Sequence, residues 1–394
     1  MAGCGCDDRG WRRVLDRRRL LQSLGGAALA GLSFSSRAAY AQQATPQADA
    51  RILIQQAPLG QLANGSFINP HVEIYGDVSF GRDCFIAGNT ILNAAESLLI
   101  SLGDANNCQD NAYLIASAVN LEFGSMVSIA HQAAIEDSVI GNFTFFGFRS
   151  RVRNCTIGEG TMVMHNTVVE GVTLPPNRIT PNGATITSQA DADALPELAH
   201  ENDEFKHEVQ EVNHQFATGY AALYAEQGRA AVEGVGPNPV TSFTPKSLEP
   251  RIGEGVRLGE LVRVVGDVEL GDRAQVGQRS SIRADEGTPI IIGRNARIGG
   301  RVTFHALKGT DLIVGDNATI GNECVLHGPL RAGSNLDCED GSVLFRAIVE
   351  DNVTLRRGAT VVGSDGNVIL REGTIVPEGA VIENQEQADA LPTR

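Results

Sequence analysis

His305 and His327 stand 22 residues apart, and Glu286 precedes the first of them by 19. Imidazole nitrogens and carboxylate oxygens are the usual ligands of zinc-like divalent metals. The residues around them carry an unusual period. Ile292, Ile298 and Phe304, then Val314, Ile320 and Leu326, recur every six positions. Six fits neither the 3.6 of a helix nor the alternation of a half-buried strand. It fits a parallel β-helix, in which each hexapeptide makes one flat side and three make a coil of about 18 residues. With a small loop allowed for, separations of 19 and 22 stack Glu286, His305 and His327 on one edge of the prism. Such a column is part of a metal site.

The elements that must position this column appear twice. From about Arg51 to Ser188 the period is kept by Val72, Val78 and Cys84, by Ile74, Phe80 and Ile86, and by Met162, Val168 and Leu174. The stretch from Ala190 to Gln227 then carries Leu198, Phe205, Val209, Val212, Phe216 and Tyr220 at helical spacing, which predicts an amphipathic helix closing the first solenoid. His200, His207 and His214 lie seven apart on it, a rise of about 10.5 Å that keeps neighbouring members from sharing one ion. They read as a polar or packing stripe. A stretch rich in Gly, Pro and Ser, 228–250, reads as a flexible linker. The period resumes at Leu258, Val264, Leu270, Val276 and Ile282, and the tail 385–392 echoes 189–196. The chain therefore reads as an all-β solenoid made by duplication. A first β-helix domain spans 51–227 with its closing helix, and a second spans 251–394 without one.

Composition narrows the partners. The 394 residues carry a net charge of -15, with no basic cluster beyond the first 20, which argues against nucleic acid and anionic membrane surfaces. Arg17-Arg18-Arg19 precedes a short apolar run, and Ala39-Tyr40-Ala41 gives a cleavage site. Residues 1–41 thus resemble a twin-arginine export signal, leaving a periplasmic protein without a membrane anchor after cleavage. Cys4 and Cys6 fall in that signal. Cys84, Cys108, Cys155, Cys324 and Cys338 show no zinc-knuckle spacing and read as small buried hydrophobes.

Specific strings carry a resemblance. They are Ser281-Ile282-Arg283-Ala284-Asp285-Glu286-Gly287, Phe304-His305-Ala306-Leu307, Val325-Leu326-His327-Gly328-Pro329 and Val127-Ser128-Ile129-Ala130-His131-Gln132. Both halves resemble γ-class carbonic anhydrases, trimers of left-handed β-helices with zinc or iron held at subunit interfaces. That resemblance implies three histidines, the first and third on one subunit and the second from its neighbour. In the second half the first and third are His305 and His327, and the second falls on Asn322. In the first half the second is His131, while the first falls on Ile115 and the third on Glu136. Neither half completes a site with its own kind. A junction of the two does, with one divalent zinc or iron ion held by His131, His305 and His327.

The accessory positions implied by the resemblance divide the same way. Asn107 and Gln109 lie in the first half, where the second has Arg297 and Gly299. Arg283 and Glu286 lie in the second, where the first has Asn93 and Glu96. Gln109 and His131, 22 apart, are expected on one donor edge, and Asp110 is expected to pair with Arg283 across the junction. Glu286 would accept a proton or orient a metal-bound hydroxide, while Gln109 and Asn107 would hold the attacking and product oxygens. The family's exposed shuttle glutamate falls on Lys308. The expected reaction is reversible hydration of CO2 to bicarbonate. The alternatives are a non-catalytic metal-binding or assembly module of the same fold, decay to a scaffold, and a hexapeptide acyltransferase. The expected assembly is a homo-oligomer of rings of three domains, the third place going to another chain or a related subunit.

Overall fold

The computed structural model describes residues 52–54, 60–61, 64–364 and 366–394. The export signal expected over 1–41 lies outside the described residues. Everything below belongs to one unit, Pro46–Arg394.

Two left-handed parallel β-helices account for most of it. Most strands are two to four residues long, the length of one flat side. In the first half they form three seven-stranded sheets, parallel except at the start, where Ile52–Ile54 runs antiparallel to Asp77–Phe80 and Gly60–Gln61 to Phe67–Ile68. Phe85 lies beside Asn107, Asn107 beside Ser128 and Ser128 beside Phe145, giving coils of 22, 21 and 17 residues. In the second half Gln275, Arg297, Thr319 and Asp337 lie side by side, giving coils of 22, 22 and 18. The shorter coils are three hexapeptides. The longer ones add residues at a corner, as in the gap between the strands Ser281–Ala284 and Ile290–Ile292.

That insertion corrects the expected column. His305 lies beside His327 in register, and the residue beside His305 in the preceding coil is Arg283. Glu286 sits three residues on, in the inserted corner. On the other half, the coil of 21 places Asp110, not Gln109, beside His131, since Ser128 pairs with Asn107.

Inward residues are mostly aliphatic or small, with a few phenylalanines, and each half has its own core: Val78, Ile100 and Leu114 are typical of one, Ile282, Val314 and Leu326 of the other. Cys84, Cys108, Cys155, Cys324 and Cys338 are all buried and unpaired. One corner of the first half repeats a left-handed residue in five successive coils: Asn89, Asn111, Gln132, Arg149 and Asn166, with φ between 53° and 61°. That conformation costs an L-residue about 1–2 kcal/mol, least for Asn.

The expected single helix from 190 to 227 is two. Helix α1 spans Gln189–Asp193 and helix α2 spans His200–Gln227. Pro196 separates them, because its ring clashes with the preceding turn and it has no N–H to donate. Leu198 N–H instead bonds Asn177 C=O at 2.9 Å, holding the intervening segment on the solenoid. Helix α2 lies over one sheet of the first half and buries Val212, Phe216 and Tyr220 against Phe67 and Phe85. A further short helix, α3 (Gln385–Asp389), repeats α1 at the end of the second half.

The segment 228–250 is ordered rather than flexible. Gly234–Gly236 adds a parallel strand beside Arg263–Gly266. Asn238, 1% exposed, closes the remainder: its Nδ2 donates to Pro239 and Lys246 C=O, and its Oδ1 accepts from Leu248 N–H. These bonds give the segment the partners a free linker lacks.

The halves meet along the left-handed corner. Asn89 Nδ2 donates to Leu261 and Arg279 C=O at 3.2 and 3.3 Å, and Gln132 Nε2 to Arg301 and Cys324 C=O at 2.7 and 3.1 Å. Arg149 Nη1 donates to Glu323 C=O at 2.6 Å. The strained corner thus aims its side chains at backbone acceptors of the neighbouring half.

Candidate metal centre at the junction of the halves

His305 and His327 project from adjacent parallel strands, Thr303–Ala306 and Val325–Ala332, with their rings 5.2 Å apart. His131 follows the strand Ser128–Ile129 at a corner of the other half, and its ring lies 5.2 Å from His305 and 5.9 Å from His327. One chain therefore brings together histidines from both halves. Each offers a nitrogen such that the three lie within 4.8 Å of one another. All three side chains are buried, at 2–3% exposure. Phe148 stacks on His327 at 4.8 Å and on His131 at 5.9 Å, walling the group on one side.

Burial sets the charge of two of these rings. It pushes His131 down to about 4, although Asp110 pulls the other way, and it lowers His327 well below the ordinary value with His305 adding to the effect. Imidazoles held neutral are good ligands, and three of them suit a divalent ion with a further position open. A further sign of fit is that His131 Nδ1 is buried without a hydrogen-bond partner, its nearest acceptor, Asp110 Oδ2, lying 3.4 Å away. His327 Nδ1 lies 2.9 Å from Gly328 C=O, which fixes the ring. Gly328 has to be glycine here: a Cβ would meet Asp311 O at 2.5 Å and Ala306 Cβ at 2.6 Å.

Around the histidines runs a buried charged chain. Arg283 Nη1 donates to Asp110 Oδ2 at 2.5 Å across the junction, and Ser281 Oγ donates to Asp110 Oδ1 at 3.1 Å. Burial pushes Asp110 up, but the Arg283 guanidinium and His131 outweigh it and hold the carboxyl below its usual range. Two residues with no histidine or metal motif of their own join this chain. Asp285, fully buried, places Oδ1 3.1 Å from His305 Nε2, and its Oδ2 accepts from Tyr220 Oη at 2.5 Å. Asp285 is visible in sequence only as the residue before Glu286. Tyr220 is visible only as an apolar position on the helix.

Other expected site residues are distributed unevenly. Glu286 is 9% exposed, its Oε1 accepts from Lys308 N–H at 2.8 Å, and its Oε2 lies 3.8 Å from His305 Nε2. Burial raises its pKa. Gln109 is engaged at both ends: Nε2 donates to Asn213 Oδ1 at 2.6 Å and Oε1 accepts from Arg283 Nη2 at 3.3 Å. Asn107 is not brought to the histidines. Its strand belongs to the sheet under α2, so its amide donates to Ser128 Oγ at 2.9 Å, and Gln210 of α2 donates to the same oxygen. His165 stays behind Phe148, its Nδ1 accepting from Phe148 N–H. His207 of α2 packs on Phe143 at 4.6 Å, while His200 is exposed.

The first half shows the counterpart of this site without its ligands. Ile115 lies beside Glu136 and Asn93 in the register in which His305 lies beside His327 and Arg283.

Comparison with known proteins gives consistent relatives. A segment of 201 residues, 48% of the chain, is 33% identical to the carboxysome assembly protein CcmM of Nostoc sp. and covers 36% of that protein. A segment covering 39% of the chain is 29% identical over 182 residues to a carbonic anhydrase of Methanosarcina thermophila and covers 72% of it. CcmM of Synechococcus elongatus is 30% identical over 171 residues, 39% of this chain and 32% of that protein. The chain thus spans about a third of the CcmM relatives it matches. No family model matches.

Proposed function

From the homology of the chain to γ-class carbonic-anhydrase-like proteins, we propose that it is a metal-dependent carbonic anhydrase, interconverting CO2 and bicarbonate at one composite site. The observation that carries this reading is the meeting of His131 with His305 and His327 inside a single chain. These three would hold one divalent ion, zinc or iron. Such an ion would supply Lewis acidity, lowering the pKa of water so that hydroxide is available to attack CO2 near neutral pH.

The chain's own residues supply the rest. Glu286 faces His305 with a carboxyl whose pKa burial raises, which suits a group that takes up and releases a proton. Gln109, fixed by Asn213 and Arg283, keeps one amide proton for an oxygen of substrate or product. Phe148 excludes water from one flank. Arg283 and Asp110 lock the two halves together so that the histidines stay in reach of one another.

The proposal extends to export by the twin-arginine route, motivated by residues 17–41, and to periplasmic residence. It extends also to assembly. The first half's ligand-free face, with Asn93 exposed and Tyr75 53% exposed, is open to a domain of another copy completing a ring of three. A second reading, a non-catalytic assembly module, is favoured by one feature: Lys308 stands where an acidic shuttle is expected, and its N–H occupies Glu286.

Stopped-flow CO2 hydration on zinc-loaded and anaerobically iron-loaded protein separates the two. Hydration above that of the metal-free protein is expected. Metal bound at one ion per chain without any hydration would leave the assembly reading standing.

A further inference from the structure

The first half reaches the metal centre twice, once through His131 and again through α2. Tyr220 of α2 is buried between Phe67 and Phe85, its ring 5.8 Å from each, and its hydroxyl donates to Asp285 Oδ2. The other oxygen of Asp285 lies 3.1 Å from His305 Nε2, while His305 Nδ1 lies 3.2 Å from His327 Nε2. A neutral imidazole has one donor and one acceptor nitrogen. An ionised carboxylate only accepts, so Asp285 accepts a hydrogen bond from His305 Nε2–H and leaves the Nδ1 lone pair turned toward the other histidines. Arg283 Nε, 3.0 Å from Asp285 Oδ2, keeps the carboxylate charged. Thr244 Oγ1 donates to Asp285 C=O at 2.9 Å, tying its backbone to the ordered segment between the halves.

We propose that Asp285 and Tyr220 are a positioning pair for this centre, through which the docking of α2 sets the tautomer and orientation of His305. The proposal rests on the reading of the three histidines as metal ligands. The duplication supports it independently. Counting the same 20 residues back from Ile115, the counterpart of His305, gives Ala95. The half without a histidine at that position also lacks the carboxylate, and among the described residues the half that keeps both has no long helix of its own to hold it. A ligand imidazole held by a carboxylate depends on it, and removing the carboxylate costs about 10–100-fold in metal affinity.

The test uses the full chain, with zinc affinity measured by chelator competition and the His305 tautomer read by 15N NMR in the metal-free protein. Asp285→Asn is expected to weaken zinc binding about 10–100-fold. Tyr220→Phe, which keeps the ring packing, is expected to weaken it in the same direction by less. In both variants His305 should lose its uniform Nε2–H tautomer. Should Asp285→Asn fail to fold, Tyr220→Phe alone decides. Unchanged affinity and an unchanged tautomer in Tyr220→Phe would overturn the proposal even if its stability fell. A wild-type chain that binds no zinc overturns the functional reading, and the tautomer measurement then still decides the positioning role.

Discussion

The two halves share a backbone and differ in what they show on its outside. In the first, Phe67, Phe85, Phe145 and Met162 point outward from one sheet and are buried, three of them beneath α2 with Phe216, Tyr220 and Phe205. In the second, the corresponding sheet shows Arg257, Gln275, Arg297 and Thr319, all exposed. The same contrast holds at the site, where Ile115 and Glu136 take the register of His305 and His327. Inward positions in both halves stayed apolar and keep the coils stacked. Outward positions carry no such constraint, so a duplicated solenoid can divide helix, metal ligands and charged partners between its copies without losing its fold.

The sharpest way to break this comparison is to remove one ligand and its counterpart. His131→Ala should abolish metal binding and CO2 hydration, whereas Asn322→Ala, the matching residue of the second half, should change neither. Metal analysis and stopped-flow rates report both. Activity surviving in His131→Ala would reduce the first half to a scaffold.

A second comparison concerns stability. Phe85→Ala removes a ring buried under α2 and should cost about 3–5 kcal/mol. Gln275→Ala, at the corresponding exposed position, should stay within about 0.5 kcal/mol. Urea unfolding followed by circular dichroism measures the pair, and equal losses would mean that α2 is not held by this sheet.

The smallest effect expected is at the junction corner. Asn89→Gly suits the left-handed backbone but leaves the carbonyls of Leu261 and Arg279 without their donor, a loss of about 1–3 kcal/mol. Asn352→Gly, at a left-handed corner on the second half's exposed asparagine ladder, should cost well under that. Equal midpoints for the two would show that the corner contacts add nothing to holding the halves together.

The hexapeptide period made the solenoid and its duplication legible in the sequence, because inward positions repeat with the coil, and the resemblance made the split of the three histidines legible. The pairing of Asp110 with Arg283 was legible for the same reason, through the resemblance. Coil length was not. The insertion around Asp285 and Glu286 shifts the second half's register by a few residues, so Arg283 rather than Glu286 lies beside His305, and a coil of 21 residues in the first half puts Asp110 rather than Gln109 beside His131. Nor did composition reveal that 228–250 is ordered, since its order comes from the hydrogen bonds of Asn238 within the segment and of Thr244 to the distant Asp285. Asn107 matched a site pattern but lies under α2, and Tyr220 read as packing but its hydroxyl reaches Asp285. Local pattern determines which face of a coil a residue occupies. Which neighbour covers that face is decided only when the two halves and the helix pack, because the contacts that matter join residues 65 to 174 positions apart.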